Sequence, residues 1–190
     1  MREKEKMQQR MLYDANYDPE LIKERQLAKE LCYEYNKLRP SDEVAQRKLL
    51  QKLLGKTKES FCILAPFWCD YGYNIEIGEN FFANHNLVIL DGAKVTFGDN
   101  VFIAPNCGFH TAGHPLDAAQ RRQGLEYAYP ITVGNDVWIG AGTQVLPGVT
   151  IGNNVVIGAG SIVTRDIPDN CMAVGTPCKV IRELETSEKF

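Results

Sequence analysis

Residues 131–167 read ITVGNDVWIGAGTQVLPGVTIGNNVVIGAGSIVTRDI, and every sixth position from Val133 is aliphatic: Val133, Ile139, Val145, Ile151, Ile157 and Val163. Four residues after each comes Val137, Thr143, Val149, Val155, Ser161 or Ile167, aliphatic or small. Gly134, Gly140, Gly152 and Gly158 directly follow members of the first set. An α-helix would repeat its apolar positions at three and four, and a simple strand at two. A strict six with small residues at corners describes a flat strand, a tight turn and another flat strand. Such short-period self-similarity marks an all-β solenoid. Three hexads make one triangular coil, and one side chain per hexad is expected to point into the prism.

The same beat runs upstream. Ile77, Ala83 and Ile89 are six apart, as are Phe97, Ile103 and Phe109. Ile89 to Phe97 is eight, which predicts a two-residue insertion at one corner, near Asp91-Gly92. No hexad fits from His110 to Pro130, so residues 110–130 are read as a loop projecting from the prism. A loop of about twenty residues inside a compact domain is usually functional or disordered.

Composition divides the chain in two. Residues 1–60 carry 14 basic and 11 acidic side chains and a single glycine, Gly55; residues 61–190 carry 7 basic, 13 acidic and fifteen glycines. A helical segment, 1–60, is therefore expected to precede a Gly-rich β domain, 61–190. The net charge of −3 gives no reason to expect nucleic acid as a partner. Cys32, Cys62, Cys69, Cys107, Cys171 and Cys178 include no CxxC pair, which argues against a zinc ribbon or a thioredoxin motif. Met1 to Gln9 is polar apart from Met7, unlike a signal peptide, and no apolar run approaches the ~20 residues of a membrane span. Free thiols in the cytoplasm, away from membranes, are the expectation.

In the front segment, Asp18-Pro19 starts a helix whose stripe is Leu21, Ala28, Leu31, Cys32, Tyr35 and Leu38, stopped by Pro40. Ser41 is expected to cap a second helix carrying Ala45, Leu49, Leu50, Leu53 and Leu54, ended by Gly55. The two should cover an open end of the prism, where unpaired strand edges would otherwise invite other chains. Met11-Leu12-Tyr13-Asp14, ahead of them, could reach a substrate.

The projecting loop holds two of the three histidines, His110 and His114. Four-residue spacing on a helix would suggest a metal pair, but Gly113 and Pro115 argue against a helix. Neutral imidazole near pH 7 can take a proton from a hydroxyl, as acyl transfer requires. A carboxylate on the other ring nitrogen would fix the tautomer, and Glu126 on the same loop is the candidate. Arg165, Lys179 and Arg182 gather basic charge near the chain's end, where an anionic ligand such as the phosphates of coenzyme A could sit. No P-loop is present to hold nucleotide phosphates instead.

Several motifs resemble one family. Asn84, Ala104-Pro105-Asn106, Thr111-Ala112-Gly113-His114-Pro115-Leu116, Val137-Trp138-Ile139-Gly140, Pro147-Gly148-Val149-Thr150-Ile151-Gly152 and Gly175-Thr176-Pro177 resemble the hexapeptide-repeat sugar O-acetyltransferases. That family includes the galactoside and maltose acetyltransferases and a nodulation-factor acetyltransferase. Leu12-Tyr13-Asp14, Asp18-Pro19-Glu20-Leu21 and Asp70-Tyr71-Gly72 extend the likeness over almost the whole chain. The resemblance implies a left-handed parallel β-helix, against the usual right-handed crossover, and a homotrimer with active sites between subunits. It implies acetyl-CoA as co-substrate and no metal. By position, it makes His114 the general base and Asp14, Asp70 and Asn84 acceptor-binding. Ala141 (through its backbone N–H), Ala159, Thr164, Arg165, Lys179 and Arg182 become acetyl-CoA contacts, with Trp138 walling the site. Gly92, Phe82 and Asp70 differ from the galactoside branch, all on the acceptor side; the front segment and Asp70 look closer to the maltose branch. The alternatives are a serine or antibiotic acceptor, and a zinc enzyme of the γ-carbonic-anhydrase type using His85, His110 and His114.

Overall fold

A hexad supplies one short strand and one corner, so successive hexads fall on successive faces. The computed structural model, which describes residues 1–185, is a three-sided parallel β-solenoid built this way. The last five residues of the expected β domain, 186–190, lie outside the described residues. The first face stacks Phe61–Ile63, Phe81–Ala83, Phe102–Ile103, Trp138–Ile139, Val155–Ile157 and Cys171–Val174 in parallel. Lys179–Glu183 folds back antiparallel on its edge. Phe67–Cys69, Leu87–Leu90, Gly108–His110, Gln144–Val145 and Ile162–Val163 form the second face. Ile75–Glu76, Val95–Phe97, Ile131–Val133 and Thr150–Ile151 form the third.

Parallel register turns the sequence period into stacked core columns. Ala83, Ile103, Ile139, Ile157 and Ala173 follow one another on the first face; Cys69, Ile89, Phe109, Val145 and Val163 do so on the second. All are buried. Each fully buried aliphatic or phenyl side chain contributes roughly 1.5–3 kcal/mol. The prism takes in two side chains per hexad, where one was expected. Val137, Thr143, Val149, Val155, Ser161 and Ile167 are buried too, because they enter the interior from the corners. Thr143 and Ser161 tolerate this by donating their hydroxyls to the Gly140 and Gly158 carbonyls, at 2.7 and 2.6 Å.

Corners require backbone turned into the left-handed region, and asparagine, once replaced by aspartate, meets this requirement between the third and first faces. Asn80, Asn100, Asp136, Asn154 and Asn170 have φ of 52 to 57° there. Their side chains form a ladder: Asn80 to Asn100 at 3.1 Å, Asn100 to Asp136 at 2.9 Å, and Asn154 to Asn170 at 3.0 Å.

Length variation is confined to the corner between the second and third faces. From the inward residue of the second face to that of the third, the spacing is eight at Cys69–Ile77, eight at Ile89–Phe97 and twenty-four at Phe109–Val133, then six at Val145–Ile151. The insertion expected near Asp91-Gly92 is one of these. The long excursion is ordered: Ala112–Gly113 pairs antiparallel with Leu125–Ala128, whose other edge takes Tyr13–Asp14.

Among the described residues, four helices accompany the solenoid: α1 (Glu3–Gln8), α2 (Pro19–Asn36), α3 (Glu43–Leu53) and α4 (Ala118–Arg122), the last within the excursion. Asp18 caps α2 through the Leu21 N–H at 2.9 Å. The cap of α3 is Asp42, on the Ala45 N–H at 3.1 Å, not the expected Ser41 one residue earlier. Leu31, Cys32, Tyr35, Leu50, Leu53 and Leu54 join one core with Phe61, Ile63, Phe67 and Ile75, so α2 and α3 close the first coil. The helical and β segments thus share a hydrophobic core. Five of the six free cysteines are buried. No helix of the described residues is long and apolar enough to cross a membrane.

Candidate active site

The excursion projects His114 from the second–third corner. Gly113 is fixed by packing: a Cβ there would lie 2.5 Å from the Tyr127 ring across the hairpin. His114, whose side chain is 47 % exposed, directs Nδ1 at the Leu125 carbonyl oxygen, 3.1 Å away. The Glu126 carboxylate lies 3.8 Å from Nε2. Glu126, the expected orienting carboxylate, therefore lies beside one ring nitrogen, and a backbone carbonyl meets the other. Adjacent strand residues point to opposite sides, so the backbone of Leu125 serves Nδ1 while the side chain of Glu126 reaches Nε2. The His110–His114 pair does not form: His110 Nε2 lies 2.7 Å from Gln144 Oε1 on the second face. Among the described residues, no three His, Cys, Asp or Glu side chains are grouped to hold a metal ion.

Tyr13, wholly buried, brings its hydroxyl to 3.4 Å from Glu126 Oε2. Its neighbour Asp14 stands opposite Leu125. Asp14 Oδ1 accepts the Asn16 and Tyr17 N–H groups at 3.2 and 2.9 Å, which ties the acid to the turn after it. Gly92 makes room for Tyr13: a Cβ there would come within 3.0 Å of the phenolic oxygen. Position 92 therefore carries no acid, and Glu126 brings a carboxylate to the Tyr13 hydroxyl instead.

Burial pushes the carboxyls of Asp70 and Glu126 up from their ordinary values, opposed by the charge of Arg25 at both, Lys29 at Asp70 and His114 at Glu126. The Asp70 charge also raises the Glu126 carboxyl, so the two acids share one field. Beneath them Asp91 is wholly buried. Its Oδ1 accepts the Asp70 and Tyr71 N–H groups at 3.0 and 2.8 Å, while Oδ2 has no hydrogen-bond partner among the described residues. Burial pushes this carboxyl up to about 6. Arg25, Tyr71 and Asp91 were not singled out as site residues. The signals were Tyr71's place in the Asp70-Tyr71-Gly72 motif and Asp91's place at an expanded corner.

Other expected residues lie elsewhere on the prism. Asn84 stands at the first–second corner, where its Oδ1 accepts the His85 N–H at 2.7 Å. Ala141 and Ala159 stack on later coils of that corner, joined by the Gly160 N–H to Ala141 carbonyl bond of 2.7 Å. Trp138 (56 % exposed) and Phe102 (50 % exposed) face outward beside Asn84 with Phe82. Thr164 and Arg165 are exposed at the second–third corner, and Lys179 and Arg182 on the terminal antiparallel strand.

Comparison with known proteins agrees with this architecture. Residues 6–58 match the maltose acetyltransferase hexapeptide capping motif, and residues 130–165 match the bacterial transferase hexapeptide (six repeats). The acetyltransferase-family protein YJL218W of Saccharomyces cerevisiae is 61 % identical over 173 residues, 91 % of this chain and 88 % of that one. A maltose O-acetyltransferase from Clostridium difficile 630 superimposes with a TM-score of 0.95 at 48 % identity, over 97 % of this chain and 98 % of that one. A galactoside acetyltransferase in complex with coenzyme A does so with a TM-score of 0.94 at 44 % identity, over 97 % and 92 %. The chain belongs to the hexapeptide-repeat acetyltransferases of the maltose/galactoside O-acetyltransferase type.

Proposed function

We propose that this chain transfers the acetyl group of acetyl-CoA to a hydroxyl of a maltose-, glucose- or galactoside-class sugar, as a cytoplasmic homotrimer with His114 as general base. The observation that carries the base is the Nδ1 contact to the Leu125 carbonyl. A carbonyl only accepts, so Nδ1 bears the hydrogen and Nε2 keeps a lone pair for the sugar hydroxyl. As that proton moves to Nε2, the hydroxyl oxygen attacks the thioester carbonyl. The C–O bond forms, the C–S bond breaks, and the imidazolium returns the proton to the departing thiolate. Glu126, beside Nε2, stabilises the imidazolium. An N–H such as that of Ala141, aimed at the developing oxyanion, would contribute ~3–4 kcal/mol. Asp14 and Asp70 receive sugar hydroxyls; Ala159, Thr164, Arg165, Lys179 and Arg182 hold the coenzyme.

A shared site between subunits draws its support from the corners. Asn84 and His114 belong to different corners, roughly 15 Å apart at the rise of an extended strand across one face. A small acceptor touching both needs them from two chains. The first face turns Phe82, Phe102 and Trp138 outward, whereas the third presents Glu76, Thr96, Thr132 and Thr150. An apolar face of that kind fits burial against a second copy. Coenzyme A in the galactoside acetyltransferase supports the donor, and six unpaired cysteines fit a reducing compartment. The test is a panel of maltose, glucose, galactosides, serine and aminoglycosides with acetyl-CoA, read by free thiol release. Turnover confined to serine or an antibiotic would displace the sugar.

A further inference from the structure

Arg25 lies on α2, outside every motif that carries the family resemblance, yet it touches both chain segments that bear the acceptor-side acids. Its Nη1 donates to the Tyr71 hydroxyl at 2.6 Å, and its Nη2 donates to the Ala15 carbonyl. Tyr71 directly follows Asp70, and Ala15 directly follows Asp14. The guanidinium carbon stands 5.7 Å from the Tyr71 ring centroid. One planar fork thus joins the front strand, the first expanded corner and helix α2. Tyr71 is also held from below, because its N–H and that of Asp70 share Asp91 Oδ1. The charged and titratable groups in the same field are Asp70, Asp91, Glu126 and Lys29, the phenols of Tyr13 and Tyr71, and the imidazoles of His110 and His114.

We propose that Arg25 is a positioning residue for the acceptor subsite: its two-pronged hydrogen bonding fixes the separation of Asp14 from Asp70. This rests on the acceptor-side roles given above to Asp14, Asp70 and Glu126. A bidentate fork is needed because a point charge cannot hold two partners in fixed directions, so lysine is no substitute at such a place.

The experiment measures steady-state constants for Arg25→Met, Arg25→Lys, Tyr71→Phe and Asp70→Asn with the fastest-reacting sugar of the panel. Arg25→Met is expected to raise the sugar KM at least tenfold and leave the acetyl-CoA KM within twofold. The acid limb of its kcat/KM profile should move to higher pH, since loss of the cation makes both buried acids harder to ionise. Arg25→Lys should restore the acid limb but not the sugar KM. Tyr71→Phe, which removes one prong only, should raise the sugar KM by a smaller factor, and it decides the matter if the Arg25 variants do not fold. An unchanged sugar KM in Arg25→Met or, failing that variant, in Tyr71→Phe overturns the role of Arg25, as does full rescue of sugar KM by lysine. An unchanged sugar KM in Asp70→Asn instead removes the acceptor-side role of Asp70 itself.

Discussion

His114 Nδ1 and the Leu125 carbonyl oxygen face each other at 3.1 Å across the arms of one hairpin. That contact ties the ring's tautomer to backbone geometry, which substitution at position 125 leaves in place. His114→Ala is expected to lose about 10²–10⁴-fold in turnover while still binding acetyl-CoA. Thiol release and calorimetric titration check the two halves. Wild-type-like turnover would remove His114 from the mechanism.

Glu126 stands on the opposite side of the imidazole, 3.8 Å from Nε2. Coulomb attraction at about this distance is worth ~4 kcal/mol at an effective dielectric of 20. His114 is half exposed, so screening reduces it, and Glu126→Gln is expected to lower kcat about tenfold. Burial raises the Glu126 carboxyl. The wild type should therefore lose activity as pH falls through that raised value, and the Gln variant should lack this component of its acid limb. An acid limb identical in both proteins would exclude Glu126 as its source.

Lys179 and Arg182 lie on the strand that closes the first face. Changing both to alanine is expected to raise the KM for acetyl-CoA more than that for sugar. If neither constant moves, these side chains hold no phosphate.

Asp91 makes a separate prediction about stability. Its folded pKa, about 6, exceeds the ordinary 3.8 because burial disfavours the anion. The penalty of ionising it in the fold is complete above about pH 6, and it vanishes below pH ~4, where the carboxyl is protonated folded or unfolded. Asp91→Asn keeps an acceptor for the Asp70 and Tyr71 N–H groups and removes this penalty. Relative to wild type, the variant should gain up to about 3 kcal/mol on going from pH ~4 to pH ~7. Urea midpoints at the two pH values measure it. A difference between the proteins that is the same at both would show Asp91 to be untitrated over this range.

The outward first face predicts assembly. Sedimentation of the wild type is expected to give a trimer, and Phe102→Glu should yield smaller species with little activity. A monomeric wild type with full turnover would be incompatible with a site shared between subunits.

The solenoid was legible from Val133, Ile139, Val145, Ile151, Ile157 and Val163 because a repeating coil writes its geometry locally, one strand and one corner per hexad. The hand of the coil was not, since parallel pairing reads the same for either hand; it came with the family resemblance. The place of His114 in an excursion that breaks the repeat was legible as well, while its role as base came with the family resemblance. What only the tertiary structure decided was its company. Leu125 rather than Glu126 meets Nδ1, Tyr13 arrives from more than a hundred residues away, and Arg25 fastens two acid-bearing segments that the sequence keeps apart. Those contacts form where a hairpin, a corner and a helix converge. Such long-range convergence has no period, so no local spacing in the chain announces it.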